Sequence, residues 1–177
     1  MLVLVGLTSV GLRNSMIAAR NRCQQAWGDV EAQLKRRHDL VPNLVESAKG
    51  YAAHERGAIE AVTEARAAAT RAAGVEEAGA AERRLSGALV DLRAVAENYP
   101  QLRATENFQQ LSAELAQIED QIQQARSFYN SHTQAYNTKI EVFPNSLIAN
   151  SSNFQPGRYF ELEDQSDRAP TAVSFDD

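Results

Sequence analysis

The sequence contains few of the residues that cross-link or interrupt a fold. Its 177 residues include one cysteine, five prolines and nine glycines, and only 7% are aromatic. The single cysteine, Cys23, excludes a disulfide framework within the chain. Alanine, glutamate, glutamine, arginine and leucine dominate the middle of the chain. This composition is typical of long helices and excludes a β-sandwich or a doubly wound sheet.

Positive charge is also scarce, because the formal net charge is −5. A duplex-binding protein needs a basic face, so we predict no nucleic-acid partner. The charge is unevenly distributed: residues 13–37 carry a local +4, and residues 160–177 a local −5. We predict that residues 162–177 form an acidic tail that is disordered or bound by a partner.

Residue patterns that support catalysis or metal binding are missing from the sequence. The three histidines, His38, His54 and His132, form neither an HExxH motif nor an i, i+4 pair. Cys23 falls in a helical pattern, and we interpret it as a small core residue with no base beside it. His132 is predicted to lie inside a helical bundle. The sequence therefore predicts a non-enzymatic protein with no metal and no cofactor.

Residues 1–12 are apolar and carry no charge. A bilayer-spanning helix needs about 20 apolar residues, and a signal peptide needs a basic start and a cleavage site. Three interpretations remain open: part of a longer span, a helix that enters one leaflet or another protein, or the buried end of a bundle helix. We predict a membrane anchor here and a location at the cell membrane. The arginines that follow favour a cytoplasmic main domain.

The strongest periodic pattern lies in the C-terminal half of the chain. Its apolar positions are spaced alternately by three and four residues over four heptads, which is the a/d stripe of a coiled coil. A helix over residues 104–141 would be about 55 Å long at roughly 1.5 Å per residue, and its stripe requires partner helices. The stripe consists of Phe108, Leu111, Leu115, Ile118, Ile122, Ala125, Tyr129, His132 and Tyr136.

Three further amphipathic runs supply those partners, over residues 14–37, 40–72 and 76–98. The short joints between runs favour antiparallel neighbours. We predict an all-α fold over residues 13–161: a long antiparallel bundle of four helices with coiled-coil-like packing, preceded by the apolar membrane segment of residues 1–12.

The joint after residue 37 carries helix-start chemistry. Asp39 is suited to cap a second helix, and Pro42 is tolerated in a first turn because the amides there lack partners. Alternatively, Pro42 kinks one long helix.

Several motifs occur in an order that resembles the LemA family. Residues 33–45 resemble the family signature QLKRRxDLIPNLV, and residues 49–55 resemble the KGYxxHE that follows it. The resemblance covers residues 13–161. Further landmarks in the same order are Trp27, Tyr129, Asn130, Tyr136, Asn137 and Phe160.

The resemblance implies a long antiparallel bundle behind a membrane helix, in a family that includes a magnetosome protein and whose members often accompany membrane proteases or envelope proteins. We therefore expect a non-enzymatic scaffold that docks other membrane or envelope proteins and self-associates. Two alternatives are an adaptor subunit of a membrane protease assembly and a helical bundle that senses a small ligand or a metal.

Two groups of motif residues are candidate docking sites. Arg36, Arg37 and Asp39 are interpreted as a capped corner, with docking of a partner's acidic groups as the alternative. The two Tyr-Asn pairs are seven residues apart, so we predict a polar ladder on one side of a helix that sets the packing register. The full set of candidates is Trp27, Gln33, Arg36, Arg37, Asp39, Pro42, Asn43, Tyr51, His54, Glu55, Tyr129, Asn130, Tyr136 and Asn137.

Overall fold

The computed structural model describes residues 2–51 and 55–162, with side chains from residue 9 onward. Within these ranges all regular structure is helical, which confirms the all-α prediction. The described residues contain four long helices, which is the predicted number, although the first two differ from the predicted runs in their bounds, and two short helices follow the third and the last of them. The elements are α1 (Leu2–Lys49), α2 (Arg56–Arg71), α3 (Gly74–Asn98), α4 (Pro100–Arg103), α5 (Glu106–Glu141) and α6 (Asn145–Ser151).

Helices α1 and α5 form the long antiparallel pair that organises the molecule. At one end Lys139 Nζ donates a hydrogen bond to Ser15 Oγ at 2.7 Å, and further along Arg36 Nη1 donates to Gln121 Oε1 at 2.7 Å. The apolar stripe of α5 faces α1, and Leu115 in its first half is fully buried. Burying such a stripe is the main source of stability for helices of this length.

Helices α2 and α3 form a hairpin that covers the C-terminal half of α1. Arg66 Nε on α2 donates to the backbone carbonyl of His38 at 2.6 Å, and Arg37 of α1 reaches Ser86 on α3 at 3.0 Å. Val62 of α2 and Leu85 of α3 are fully buried in the core that the hairpin closes. At the level of Arg37 the bundle therefore has four helices in cross-section, α1, α2, α3 and α5.

The predicted joint after residue 37 is wrong, because α1 continues through Pro42 to Lys49. Leu40 and Val41, and one turn later Leu44, are buried and continue the apolar face without interruption. Their burial outweighs the roughly 3 kcal/mol that a proline costs inside a helix. Asp39 does not cap a helix, because it lies inside α1, where its carboxylate accepts a hydrogen bond from Lys35 Nζ at 2.5 Å one turn earlier.

The predicted stripe also shifts by one position near the end of α5. His132 is only partly buried and packs edge-on against the ring of Phe128, with ring centroids 4.4 Å apart. Thr133 is fully buried in its place, and Ile140 continues the face one heptad later. A straight helix drifts about 20° per heptad against a strict 3.5-residue repeat, which moves the buried position to the next residue.

The prediction of an apolar membrane segment at the N-terminus is wrong. Across residues 2–51 and 55–162, none of the helices is both long enough and apolar enough to cross a membrane. In α1 the uncharged run is followed by Arg13, Arg20 and Arg22 within the same helix, and these side chains interrupt its apolar character. The predicted acidic tail lies outside the described residues from position 163 onward.

Candidate functional site

The two Tyr-Asn pairs of α5 hold a non-helical segment that follows α6. We call this segment, residues 154–162, the strap. Asn130 accepts a hydrogen bond from the Phe160 amide at 2.9 Å and donates one to the Phe160 carbonyl at 3.0 Å. Asn137 makes the same pair of bonds with Gly157, at 2.7 and 3.0 Å. Each asparagine therefore satisfies both backbone groups of one strap residue.

The heptad spacing of the asparagines fixes the conformation of the strap. Seven helical residues advance about 10.5 Å at 1.5 Å each. Gly157 and Phe160 are only three residue steps apart, and a chain covers at most about 3.3–3.6 Å per step. The strap must therefore be almost fully extended between its two clamped residues.

The tyrosines complete the ladder by binding two further carbonyls of the strap. Tyr129 Oη donates to the Arg158 carbonyl at 2.7 Å, and Tyr136 Oη donates to the Gln155 carbonyl at 2.9 Å. Burial raises the pKa of both tyrosine hydroxyls, so both remain donors at neutral pH. The four side chains of the predicted ladder thus bind the backbone of the strap.

An aromatic cluster anchors the end of the strap. Phe160 is fully buried, and its ring meets that of Trp27 edge-on with centroids 5.3 Å apart. Trp27 also contacts the ring of Tyr129 at 5.3 Å. Aromatic pairs of this geometry contribute about 0.5–1.5 kcal/mol each beyond the area they bury. Trp27 of α1, a family-motif residue, therefore joins α1 and α5 to the strap.

Two glycines, Gly79 on α3 and Gly157 in the strap, allow the strap to approach α3 and α5 closely. A Cβ at Gly79 of α3 would lie 2.8 Å from the Glu161 carbonyl oxygen, and Arg83 Nη1 donates to that oxygen at 3.0 Å. A Cβ at Gly157 would lie 3.1 Å from Thr133 Cγ2 on α5. The strap therefore fills the space between α3 and α5 and links them.

A buried ionic cluster lies further along the bundle. Arg37 is fully buried and Glu82 is 1% exposed, and the two side chains form a direct ion pair. Arg37 also binds Glu119 at 2.7 Å, while His38 Nε2 lies 2.6 Å from Glu82 Oε1. Burial alone would raise the pKa of Glu82, but the hydrogen bond with His38 and the charge of Arg37 together lower it. Glu82 is therefore ionised and fixes α3 against α1 and α5.

The predicted corner at Arg36, Arg37 and Asp39 is absent. No helix ends there, and Arg37 is enclosed by the bundle, where a partner's acidic groups cannot reach it. Arg36 donates to Gln33 Oε1 at 3.1 Å and to Gln121 on α5.

The other candidates of this region lie apart from the strap. Pro42, Asn43 and Tyr51 are exposed, and Glu55 accepts a hydrogen bond from Tyr99 Oη at 3.1 Å. His54 lies outside the described residues.

A cavity of about 280 Å³ lies between α1, α5 and the part of the strap around Gly157. It is lined mainly by Cys23, Trp27, Tyr129 and Tyr136. Burial raises the pKa of the Cys23 thiol, so this side chain is a poor nucleophile. Across the described residues, no group of three or more His, Cys, Asp or Glu side chains is arranged to hold a metal ion.

One end of the rod carries an exposed apolar surface. Phe143 is 79% exposed and Leu147 64%, and Val142 and Val10 are also exposed. The pairing of Ser15 with Lys139 puts the junction between α5 and α6 beside the first turns of α1. We call these four residues the apolar tip.

Sequence reasoning missed several residues of these sites. Glu82 is one of them. The spacing of Ala78, Leu85 and Leu89 puts this acid on the apolar face of α3, and an acid on an apolar face could have indicated a buried ion pair. Gly79 and Gly157 carry no comparable signal, because their importance depends on a backbone brought close only by the fold.

The fold and the strap together define a class of protein: an antiparallel helical bundle whose longest pair clamps an extended segment of the same chain. The LemA family profile matches residues 26–175. The chain therefore belongs to the LemA family, as its sequence motifs indicated.

Three relatives show how far the similarity extends. Protein LemA of Metamycoplasma hominis is 25% identical over 144 residues, which cover 79% of this chain and 64% of that protein. Magnetosome proteins MamQ 1 and MamQ 2 of Paramagnetospirillum magneticum are each 23% identical over 174 residues, covering 84% of this chain and 64% of theirs. The chain thus spans just under two thirds of the length of these relatives.

Proposed function

We propose that this protein is a non-enzymatic scaffold that docks other membrane or envelope proteins through the apolar tip. The exposure of Phe143 and its apolar neighbours at one end of the rod is the observation that carries the proposal. Single exposed apolar residues are common on any protein surface. A group of them at one end is a typical signature of an interaction site.

The rest of the bundle supports this role by holding the tip in a fixed position. The helix pair α1 and α5 gives the rod its length, and the ionic cluster around Arg37 fixes a third helix against it. The strap fills the remaining groove. A partner bound at the tip is thus presented on a preorganised support, which lowers the entropic cost of binding. The similarity to two magnetosome proteins favours a role within a larger assembly.

The test compares a tip variant with a matched surface variant. Phe143→Ser with Leu147→Ser removes the two most exposed tip side chains, and Val90→Ser removes a 61% exposed side chain on α3. Each tagged protein is used to purify partners from detergent-solubilised membranes of its own cells, with thermal unfolding as a folding check.

We expect the original protein and Val90→Ser to retain the same membrane or envelope proteins and the tip variant to lose them. Retention of the same set by the tip variant would refute the proposal. So would a set no richer than that of an unrelated helical bundle. Recovery of a membrane protease through the tip would identify the protein as an adaptor of that protease.

The cavity beside Cys23 favours a second candidate, the sensing of a small apolar ligand. Trp27 lines this cavity, so a bound ligand would alter its fluorescence, and Trp27 is the only tryptophan in the chain. Titration with small aromatic probes should quench this emission saturably if the site binds them. Unsaturable quenching at the level seen for free tryptophan would exclude the candidate.

A further inference from the structure

We propose that the cavity beside Cys23 binds a small aromatic carboxylate, with the ring inside the cavity and the carboxylate on Arg20 at its mouth. This inference deepens the second candidate function, the sensing of a small ligand, and rests on it, because the cavity must first bind a ligand at all. It adds the charge of that ligand and the direction in which the ligand lies.

The wall of the cavity is suited to an aromatic ring. Trp27, Tyr129 and Tyr136 supply three aromatic side chains, and Val75 of α3 adds an aliphatic one. Both tyrosine hydroxyls already donate to carbonyls of the strap, so neither offers its proton to a ligand. An apolar cavity of about 150 Å³ accepts benzene, so 280 Å³ leaves room for a ring and a short polar arm.

The polar side chains of the lining lie at the mouth of the cavity. Arg20, Gln24 and Gln155 are exposed, whereas Cys23 and the tyrosines are buried. None of the described residues that line the cavity is an aspartate or a glutamate, so an anion would meet no like charge there. A ligand that fits is therefore apolar at its inner end and polar or anionic at the end that faces water.

Arg20 is held in place to bind such an anionic end. Its guanidinium carbon lies 5.5 Å from the ring centroid of Phe154 in the strap, a cation–π contact that restrains the side chain. Within residues 9–51 and 55–162, no hydrogen bond or ion pair engages its N–H donors. Burial raises the pKa of the Tyr136 hydroxyl, and the charge of Arg20 opposes part of that rise, so this charge acts on the cavity wall.

The chemistry of Arg20 selects a carboxylate as the anionic group. The donors of an arginine form a planar fork that matches the two oxygens of a carboxylate. One guanidinium also balances the single charge of a carboxylate, whereas a phosphate monoester carries nearly two charges at neutral pH. The lining therefore fits a ring that bears one carboxylate on a short arm.

The test compares 3-phenylpropionate with its neutral amide, which shares the ring and the arm and lacks the charge. Binding of each compound to the full chain is measured by calorimetry and by the fluorescence of Trp27. Arg20→Gln removes the proposed partner of the carboxylate. Arg22→Gln is the matched control, because it removes the same charge from an exposed side chain of α1 that does not line the cavity. Thermal unfolding checks that both variants fold.

We expect 3-phenylpropionate to change the emission of Trp27 saturably, because Trp27 lines the cavity and is the only tryptophan in the chain. Arg20→Gln should weaken this binding about tenfold, which is the low end of what a hydrogen bond to a charged group contributes. Arg22→Gln should leave it unchanged. On the original chain, the amide should bind about as weakly as 3-phenylpropionate binds to Arg20→Gln.

Two results would overturn the role of Arg20 and leave the sensing of a small apolar ligand standing. One is equal binding of the two compounds to the original chain, a comparison that depends on no variant. The other is an equal loss of 3-phenylpropionate binding in Arg20→Gln and Arg22→Gln. If neither compound binds the original chain saturably, this proposal and the second candidate function are both refuted.

Discussion

Neutralising Glu82 is the change that most directly challenges the buried ionic cluster. Glu82→Gln preserves the shape of the side chain and one acceptor oxygen but removes its charge. Arg37 then remains fully buried, with Glu119 at 2.7 Å as its only charged partner at hydrogen-bond distance among the described residues. The structure therefore predicts an incompletely compensated buried guanidinium.

The expected cost follows from the burial of both groups. Removing one partner of a buried ion pair typically costs about 3–5 kcal/mol, since the other charge stays desolvated. Glu119 still compensates part of the Arg37 charge, so we expect about 3 kcal/mol for Glu82→Gln. The matched control is Glu76→Gln, whose partner Arg158 is solvent-exposed. Exposed pairs contribute about 0–1 kcal/mol, so the control should change little.

Urea unfolding followed by circular dichroism measures both variants against the original chain. The midpoint of Glu82→Gln should fall clearly while the slope stays unchanged, so the difference is one of stability. Replacing both members, with Arg37→Met and Glu82→Leu, should recover part of the loss, because both fully buried charges are then removed and Glu119, which loses its partner, is 31% exposed. A loss for Glu82→Gln that equals the loss for Glu76→Gln would refute the importance of the cluster.

Three further predictions concern other parts of the same core. The pKa of Glu82 is lowered in the folded state, so the stability that its charge contributes is fully present above pH 4.5, the ordinary pKa, and is lost as pH falls through the lower folded-state pKa. The urea midpoint of Glu82→Gln should therefore vary less with pH below 4.5 than the midpoint of the original chain. Leu115→Ala should cost about 2–5 kcal/mol in urea unfolding, and a cost below about 0.5 kcal/mol would mean that the stripe is not buried. Gly79→Ala should destabilise the protein, since the new methyl group would lie 2.8 Å from the Glu161 carbonyl oxygen. The control Gly87→Ala has open space around it and should stabilise the helix by about 0.5–1 kcal/mol. Equal shifts in melting temperature for the two variants would contradict the close approach of the strap.

Much of the fold could be predicted because it depends on local periodicity. The spacing of Phe108 to Tyr136 is set by helix geometry alone, and it predicted the long helix and its buried face. Helix ends were harder to predict. Pro42 is a helix breaker by propensity, but the apolar residues on both sides of it bury the same face and override that preference.

The sequence predicted the shared position of the candidate site's side chains but not the groups that they bind, because only the first depends on local periodicity. The heptad spacing of Asn130 and Asn137 showed that they share one side of α5, but nothing local indicated what they bind. Their partners, Phe160 and Gly157, are about 20–30 residues away in the chain and lie in a segment without periodicity. Only the tertiary structure brings a backbone with free donors and acceptors to these side chains.

The docking proposal is tested most directly by photo-crosslinking inside the cells that make the protein. A photoreactive amino acid replaces Phe143 at the apolar tip in one strain and Val90 on α3 in another, both at highly exposed positions. We expect covalent adducts with a small, reproducible set of membrane or envelope proteins at position 143 and none of these at position 90. The same adducts at both positions, or no adducts at position 143, would contradict docking through the tip.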